Sequence, residues 1–410
     1  HKNHPSVQKD TFSWGILLSF VLLKFLIHLL SITVFAYGIF RDELYYLACA
    51  SRPAIGYVDH PPLSIWILNV NRLLLGDSLT AIRLLPALLG AATVFMAGLI
   101  VRELKGGKTA LVLTGISITL CPIILSMNSL YSMNSLDIFL WTLAAWILIK
   151  LYKTPEPKLW ILTGFILGLG LLNKISMGWF VLGFGAIILL TNLRTFLKTK
   201  WPYITAVIVL LCFSPYLIWN MQHNFAHLEF MSNAVKWKYG GMNPLVFLSD
   251  QFLYMSPFGF ILWLLGMLGI WGKKDLKSYR PVAIIGLTTL IILIINWHSK
   301  PEYLSPSIPM MMAGGALFAE GSLKKWVNLL FMLFLGLGII IAPLALPLLP
   351  VKTFIEFNQT LGLTPTNTES KELSELPQHY ADRFGWENMA KQVSEVYESL
   401  HDSLKTNALV

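Results

Sequence analysis

Charge is scarce in this sequence. Of 410 residues only 13% are Asp, Glu, Lys or Arg, against roughly 25% in a soluble globular chain. That deficit excludes a soluble enzyme of ordinary composition. It also excludes disorder, which needs low hydrophobicity and high charge. Cysteine is scarce as well: Cys49, Cys121 and Cys212 are scattered and form no C-x-x-C pair. Neither a disulfide framework nor a thiolate metal site is implied. There is no internal repeat and no low-complexity tract. A P-loop, a G-x-G-x-x-G after a strand, H-E-x-x-H and G-x-S-x-G are all missing, so no Walker-type site is present to power transport.

What is abundant is apolar sequence: 55% of residues are hydrophobic and mean hydropathy is +0.63. A membrane-crossing helix needs roughly 20 mostly apolar residues. Eleven stretches are expected to span: 13–40, 79–101, 109–127, 133–150, 158–172, 175–192, 201–220, 246–271, 281–297, 303–319 and 326–350. The short pair around Asn173-Lys174 reads as a hairpin, and 61–76 as interfacial. The first apolar stretch is too long for a signal-peptide core and has no evident cleavage site, so it is expected to remain as a span. A chain beginning with His1 implies a trimmed N-terminus. The expected fold is an all-α integral membrane protein, a multi-span helical bundle over 1–350. Residues 351–410 form a small soluble extracytoplasmic appendage.

The net charge of +9 raises nucleic acid as a partner, and topology answers it. With the N-terminus in the cytoplasm and spans alternating, 17 of the 31 basic residues fall in cytoplasmic segments, eight on the opposite face, five in the tail and one in the first span. Every cytoplasmic loop is basic, as the positive-inside rule expects. The positive charge is therefore mostly orientation, and no nucleic-acid partner is expected.

The opposite face holds ionisable groups at span ends, where they are functional candidates. R-D-E-L-Y-Y at 41–46 puts Asp42 and Glu43 directly after the first span. Asp42 suits a general base acting on a hydroxyl, or is a solvated charge ending a helix. Asp59-His60 precedes Pro61-Pro62, which holds the pair in an extended turn; the plainer reading is a helix-start turn. In S-M-N-S-L-D, Asp137 lies one turn into an apolar helix and wants a partner. Alternatively Asn134 caps that helix and Asp137 favours its dipole. Lys174 in L-N-K-I-S-M neutralises a phosphate or snorkels. Lys300 and Tyr303 in H-S-K-P-E-Y-L-S-P repeat the pattern, with an interfacial Tyr anchor as the alternative. His223, His227 and Glu229 match no zinc spacing, so no metal site is expected and no cofactor is required. Gly164 and Gly168 form a G-x-x-x-G that reads as helix packing. Carboxylates beside cations at a lipid boundary suit a phosphate leaving group on a lipid carrier. A transporter or flippase is the alternative, with paired half-helices in two repeats as its mark.

Together these motifs resemble a known family. D-E at 42–43, Y-x-D-H-P-P-L at 57–63, M-N-x-x-D at 133–137, L-N-K-x-S-M at 172–177 and K-P-x-Y-L-x-P at 300–306 are similar to the bacterial family-39 glycosyltransferases. These are GT-C-type membrane enzymes related to protein O-mannosyltransferases and the lipid A aminoarabinose transferase. The tail string L-P-Q-H-Y-A-D-R-F-G-W-E-N-M at 376–389 looks like bacterial members too. The resemblance implies sugar transfer from polyprenyl phosphate to a lipid, glycan or protein hydroxyl, with inversion. It places the site on the outer face of a bacterial inner membrane. It makes Asp42 the catalytic acidic residue, with Glu43 and Asp59 beside it. Lys174 matches the family's lysine after its fifth span, and Lys300 and Tyr303 match a donor-phosphate region; these three, with His60 and Arg52, are expected to hold the donor phosphate. His60 stands where the aminoarabinose transferase has lysine, and Tyr45-Tyr46 where it has an arginine. Residues 44–58 are expected to lie on the membrane, and 384–400 to form an amphipathic helix packed within the tail.

Overall fold

The computed structural model describes residues 11–35, 37–237, 243–363, 375–405 and 408. Lys2, Lys9, Lys238 and Lys371 of the charge tally lie outside them. Among the described residues every regular element is helical. Helix α1 (Trp14–Thr33) starts where the Ser13 hydroxyl accepts the Ile16 amide at 3.5 Å, one of the donors a helix start leaves unpaired. The first loop folds into two helices, α2 (Arg41–Ser51) and α3 (Leu63–Leu75). Ser78 caps α4 (Leu79–Glu103). There follow α5 (Lys108–Thr119), α6 (Pro122–Met127), α7 (Met133–Lys153), α8 (Pro157–Asn173), α9 (Met177–Leu190), α10 (Trp201–Gln222) and α11 (Ala226–Trp237). Next come α12 (Pro244–Met255), α13 (Pro257–Met267), α14 (Arg280–Ile295), α15 (Ile308–Ser322), α16 (Lys325–Gly336) and α17 (Gly338–Ile341). The tail adds α18 (Val351–Thr360), α19 (Gln378–Ala381), α20 (Trp386–Ser399) and α21 (Asp402–Lys405).

Among the described residues, six helical stretches are long and apolar enough to cross a membrane, or eight if each of two bent pairs is one span. Three shorter apolar helices are α3, α5 and α8. The expected single span 246–271 is broken: α12 and α13 meet at 112°. Ser256 there has φ of 62° and precedes Pro257, which disfavours helical backbone at the residue before it. The stretch 175–192 likewise turns by 90° into the short helix Asn192–Lys198.

Packing rather than hydrophobicity selects the neighbours in such a bundle, because lipid is as apolar as leucine. Gly164 and Gly168 let α8 lie against α10: a Cβ at Gly168 would stand 2.6 Å from the Cys212 Cβ and 3.2 Å from the Val209 Cα. Gly168→Leu is expected to destabilise the protein by about 1–3 kcal/mol, the usual cost of overpacking, read as a lowered unfolding midpoint in detergent.

The bundle has two ends. One gathers the start of α4, the start of α7, the α8–α9 junction and the end of α10, joined by the bonds described below. At the other, Lys153 pairs with Glu103 at 2.5 Å and Glu320 accepts the Gly107 and Ala110 amides. Lys150, Lys158 and Lys277 also lie there, lining two cavities of about 480 and 490 Å³. Basic side chains thus gather at the bundle end opposite the one that holds Asp42, Asp59 and Lys174.

The tail is less separate than 351–410 suggests. Tyr380 is fully buried against Tyr37 and Phe354. Its hydroxyl donates to the Pro343 carbonyl at 2.6 Å, and Tyr37 donates to the Leu349 carbonyl at 2.7 Å. The reason is chemical: buried phenols need acceptors, and the turn after α17 offers bare carbonyls. The amphipathic helix within 384–400 does form as α20. However, Met389, Val393 and Val396 are exposed, so the expected packing within the tail is not made among the described residues.

Candidate active site

The first turn of α2 separates its two carboxylates. Successive helix positions point about 100° apart, so one carboxylate turns in and its neighbour turns out. Glu43 turns in and is fully buried. Its Oε1 accepts Arg83 Nε at 2.9 Å and the Tyr131 amide at 2.8 Å. Its Oε2 accepts Arg83 Nη2 at 2.6 Å and the Phe40 amide at 2.9 Å. Arg83, from α4, also donates to the Tyr37 and Gly38 carbonyls. Glu43 therefore ties the first loop to α4 and to the start of α7, with every oxygen engaged. Asp42 turns out: its side chain is 50% exposed and its Oδ1 lies 3.2 Å from Arg41 Nε.

Asp59 and His60 sit on the turn between α2 and α3. The Tyr45 hydroxyl donates to Asp59 Oδ1 at 2.5 Å. Burial and then the Asp59 carboxylate push the Tyr45 phenol up, which keeps it a donor. His60 is enclosed, 1% exposed, among the rings of Tyr45, Tyr46 and Tyr57. Its Nδ1 pairs with the Pro61 carbonyl at 2.9 Å and its Nε2 lies 3.9 Å from Asp59. An enclosed ring has no open face for a phosphate, so its geometry is that of a support for the Asp59 turn. Arg52, at the end of α2, is exposed on the same loop.

A second group adjoins the first. The Tyr46 hydroxyl accepts the Met133 amide at 3.2 Å, and the Met133 carbonyl accepts Asn173 Nδ2 at 2.9 Å. Lys174 Nζ donates to Asn134 Oδ1 at 2.7 Å and lies 3.6 Å from Asp137. Asp137 is fully buried and accepts the Ser176 hydroxyl at 2.7 Å. The helix cap is Ser132 rather than Asn134, whose Nδ2 donates to Ser132 Oγ at 3.1 Å. Asn134 and Asp137 thereby hold Lys174, whose side chain is 15% exposed.

Lys300 and Tyr303 form a third group. Lys300 lies 3.8 Å from Glu302, and the Tyr303 ring is 6.3 Å from that of Trp179 on α9. The buried Gln251 of α12 donates to the Pro301 carbonyl at 3.2 Å and fixes this turn. His223 and His227 belong to the first group's surroundings: His227 Nδ1 pairs with the Val58 carbonyl at 3.0 Å and His223 stacks on Trp219 at 4.1 Å. Among the described residues no three His, Cys, Asp or Glu side chains are grouped to hold a metal.

Sequence reasoning passed over Arg83, Tyr131 and the tail's Arg383. Arg383 is 3% exposed and donates to the Ser129 hydroxyl at 3.1 Å. Burial and then Arg83 lower its pKa to about 10, so it remains a cation at neutral pH. A single arginine in the first turns of the otherwise apolar α4 was the available signal for Arg83. Beside Arg383, His379 is lowered to about 4 by burial, offset by its bond to the Leu344 carbonyl and reinforced by Arg383. A histidine depressed in the folded state contributes stability that is full above its unfolded pKa of about 6.5. That contribution declines as pH falls from there through about 4. The protection of residues 376–386 relative to intrinsic amide exchange is expected to fall across that window and to stay flat above it; His379→Gln removes the dependence.

Residues 59–219 match the family model described as dolichyl-phosphate-mannose-protein mannosyltransferase. An uncharacterised Aquifex aeolicus protein is 26% identical over 74% of this chain and 60% of its own length. The lipid A galacturonosyltransferase RgtD of Rhizobium johnstonii is 24% identical over 70% of this chain and 61% of its own. The polyprenol-phosphate-mannose–protein mannosyltransferase of Corynebacterium glutamicum is 30% identical over 37% of this chain and 32% of its own. The chain spans about three fifths of the length of the first two of these curated relatives. In fold it is similar to ArnT from Cupriavidus metallidurans. The structure with undecaprenyl phosphate gives a TM-score of 0.62 at 16% identity, covering 80% of this chain and 65% of that one. The apo structure gives 0.64 at 14%, covering 90% and 67%. In its helical fold the chain is therefore similar to ArnT, and over residues 59–219 its sequence is similar to the dolichyl-phosphate-mannose-protein mannosyltransferase family.

Proposed function

We propose that this protein transfers a sugar from a polyprenyl-phosphate carrier to an acceptor hydroxyl, at the bundle end that holds α2 and α3. The observation that carries the reading is the division of labour on α2. Glu43 is committed to a buried pair, while Asp42, one residue earlier, presents a half-exposed carboxylate beside Arg41. Asp42 is the general base that takes the acceptor proton as the hydroxyl attacks the anomeric carbon from the face opposite the phosphate, which inverts the centre. Asp59, oriented by Tyr45, positions the acceptor. Lys174 stabilises the departing phosphate, Lys300 and Arg52 extend that cationic wall toward the lipid, and the Tyr303 hydroxyl adds a hydrogen-bond donor. Glu43, His60, Asn134 and Asp137 hold these groups in place. The basic loops at the other bundle end support an outward-facing site in a bacterial inner membrane, and the relatives support a lipid-phosphate donor. No step here calls for a metal.

The test incubates purified protein in nanodiscs with a panel of undecaprenyl-phosphate-linked radiolabelled sugars and membrane lipids, glycans or peptides as acceptors. Release of undecaprenyl phosphate with label appearing in one acceptor class supports the reading. Movement of the lipid across proteoliposomes without any transfer supports a flippase instead.

A further inference from the structure

The tail string at 376–389 has no role in the reading above, yet its residues reach the candidate base. Asp382 approaches α2 in two ways. Its backbone carbonyl accepts the Arg41 amide at 3.1 Å, serving a first-turn donor that has no partner within the helix. Its Oδ2 lies 3.1 Å from Arg41 Nη1. Arg41 in turn places Nε 3.2 Å from Asp42 Oδ1, so one guanidinium bridges a tail carboxylate and the candidate base.

The surrounding contacts fix this bridge. The neighbouring residue, Arg383, passes so close to the first loop that a Cβ at Gly38 would stand 2.2 Å from the Arg383 carbonyl oxygen; only glycine allows that approach. The Arg383 side chain is buried and bonded to Ser129, two residues before the Tyr131 amide that Glu43 holds. The Trp386 indole N–H donates to the Asp382 carbonyl at 2.9 Å, and Gln378 Nε2 reaches Asp382 Oδ2 at 3.4 Å. His379 is tied to the Leu344 carbonyl at 3.0 Å. Asp382 is thus held from three sides and offers Arg41 a fixed partner.

We propose that the C-terminal segment 376–386 completes the active site, with Asp382 a positioning residue that sets the Asp42 carboxylate through Arg41. An arginine shared between two carboxylates has its planar fork oriented by both. Without Asp382 the Arg41 side chain regains its rotamers, and the carboxylate it steadies loses its aim. Small misplacements of a reacting group are costly in rate, whereas donor affinity depends on the cations of the other groups. The proposal rests on Asp42 being the base.

The experiment uses the full chain in nanodiscs with Asp382→Ala and Asp382→Glu. Hydrogen exchange and transfer from the undecaprenyl-phosphate sugar that wild type consumes are measured together. Asp382→Ala is expected to speed exchange at residues 41–46 about tenfold, with α1 and α4 unchanged. It is expected to lower kcat about tenfold with the donor KM within twofold, and Asp382→Glu restores most of both. Unchanged protection at 41–46 with a wild-type kcat overturns the proposal. So does a rate loss accompanied by lost protection throughout α1 and α4, which marks general unfolding. If Asp42→Asn is fully active, the base reading fails by itself, and exchange at 41–46 still reports whether the tail holds α2.

Discussion

Asp42→Asn is expected to lower kcat about 10³-fold, within the 10²–10⁴ range that general-base catalysis supplies, or roughly 4 kcal/mol of barrier. Asparagine keeps the shape and can still face Arg41, but it cannot take the acceptor proton. The donor KM should stay within twofold, because the interaction lost is made only as the proton moves. The fold should survive, since the 50% exposed Asp42 side chain is outside the buried pair. Initial rates with the consumed donor, alongside an unfolding midpoint, check both halves of the claim. A natively folded Asp42→Asn protein turning over at the wild-type rate would mean that the proton goes elsewhere.

Glu43→Ala should act in the opposite manner, on stability first. It strands the Arg83 guanidinium, 2% exposed, with Arg383 buried nearby. It also removes the acceptor of the Phe40 and Tyr131 amides. Breaking one side of a buried pair costs about 3–5 kcal/mol because the remaining charge is left without a counterpart, and each orphaned amide adds roughly 1–3 kcal/mol. Chemical denaturation in detergent should show a loss of at least the first figure, with activity falling because α2 no longer docks. The Glu43→Ala, Arg83→Ala double variant should be less destabilised than the sum of the two singles, since the partners share one interaction. Additive losses would show that the two residues act separately. Adjacent carboxylates would then be separated by experiment as they are by geometry: Asp42 moves kcat at constant stability, and Glu43 moves stability.

Much was legible before any coordinates. Thirteen per cent charge and long apolar runs demand a helical membrane protein, because only helices satisfy their own backbone groups in such segments. The grouping of Asp42, Asp59, Asn134, Asp137 and Lys174 at one bundle end also followed from alternating spans, since loop order determines which ends meet. The G-x-x-x-G at 164–168 was readable as packing for the same local reason. By contrast, the break at Ser256-Pro257 escaped a hydropathy reading, because both halves are apolar and only backbone conformation distinguishes a bend from a span.

What only the tertiary structure decided is which charged groups are supports. In sequence, Asp42 and Glu43 are equivalent, and His60 and Asp137 look as available as Lys174. Their fates depend on partners far along the chain: Arg83 is 40 residues from Glu43, the Tyr131 amide 88, and Ser129 lies 254 residues from Arg383. Burial of a charge is decided by whether a counter-charge and enough donors arrive in three dimensions. Hydropathy and motif spacing determined the bundle and the end at which Asp42, Asp59, Asn134, Asp137 and Lys174 gather. Long-range pairing alone made Glu43 a structural tie, left Asp42 facing outward, and brought the tail's Asp382 and Arg383 to the same place.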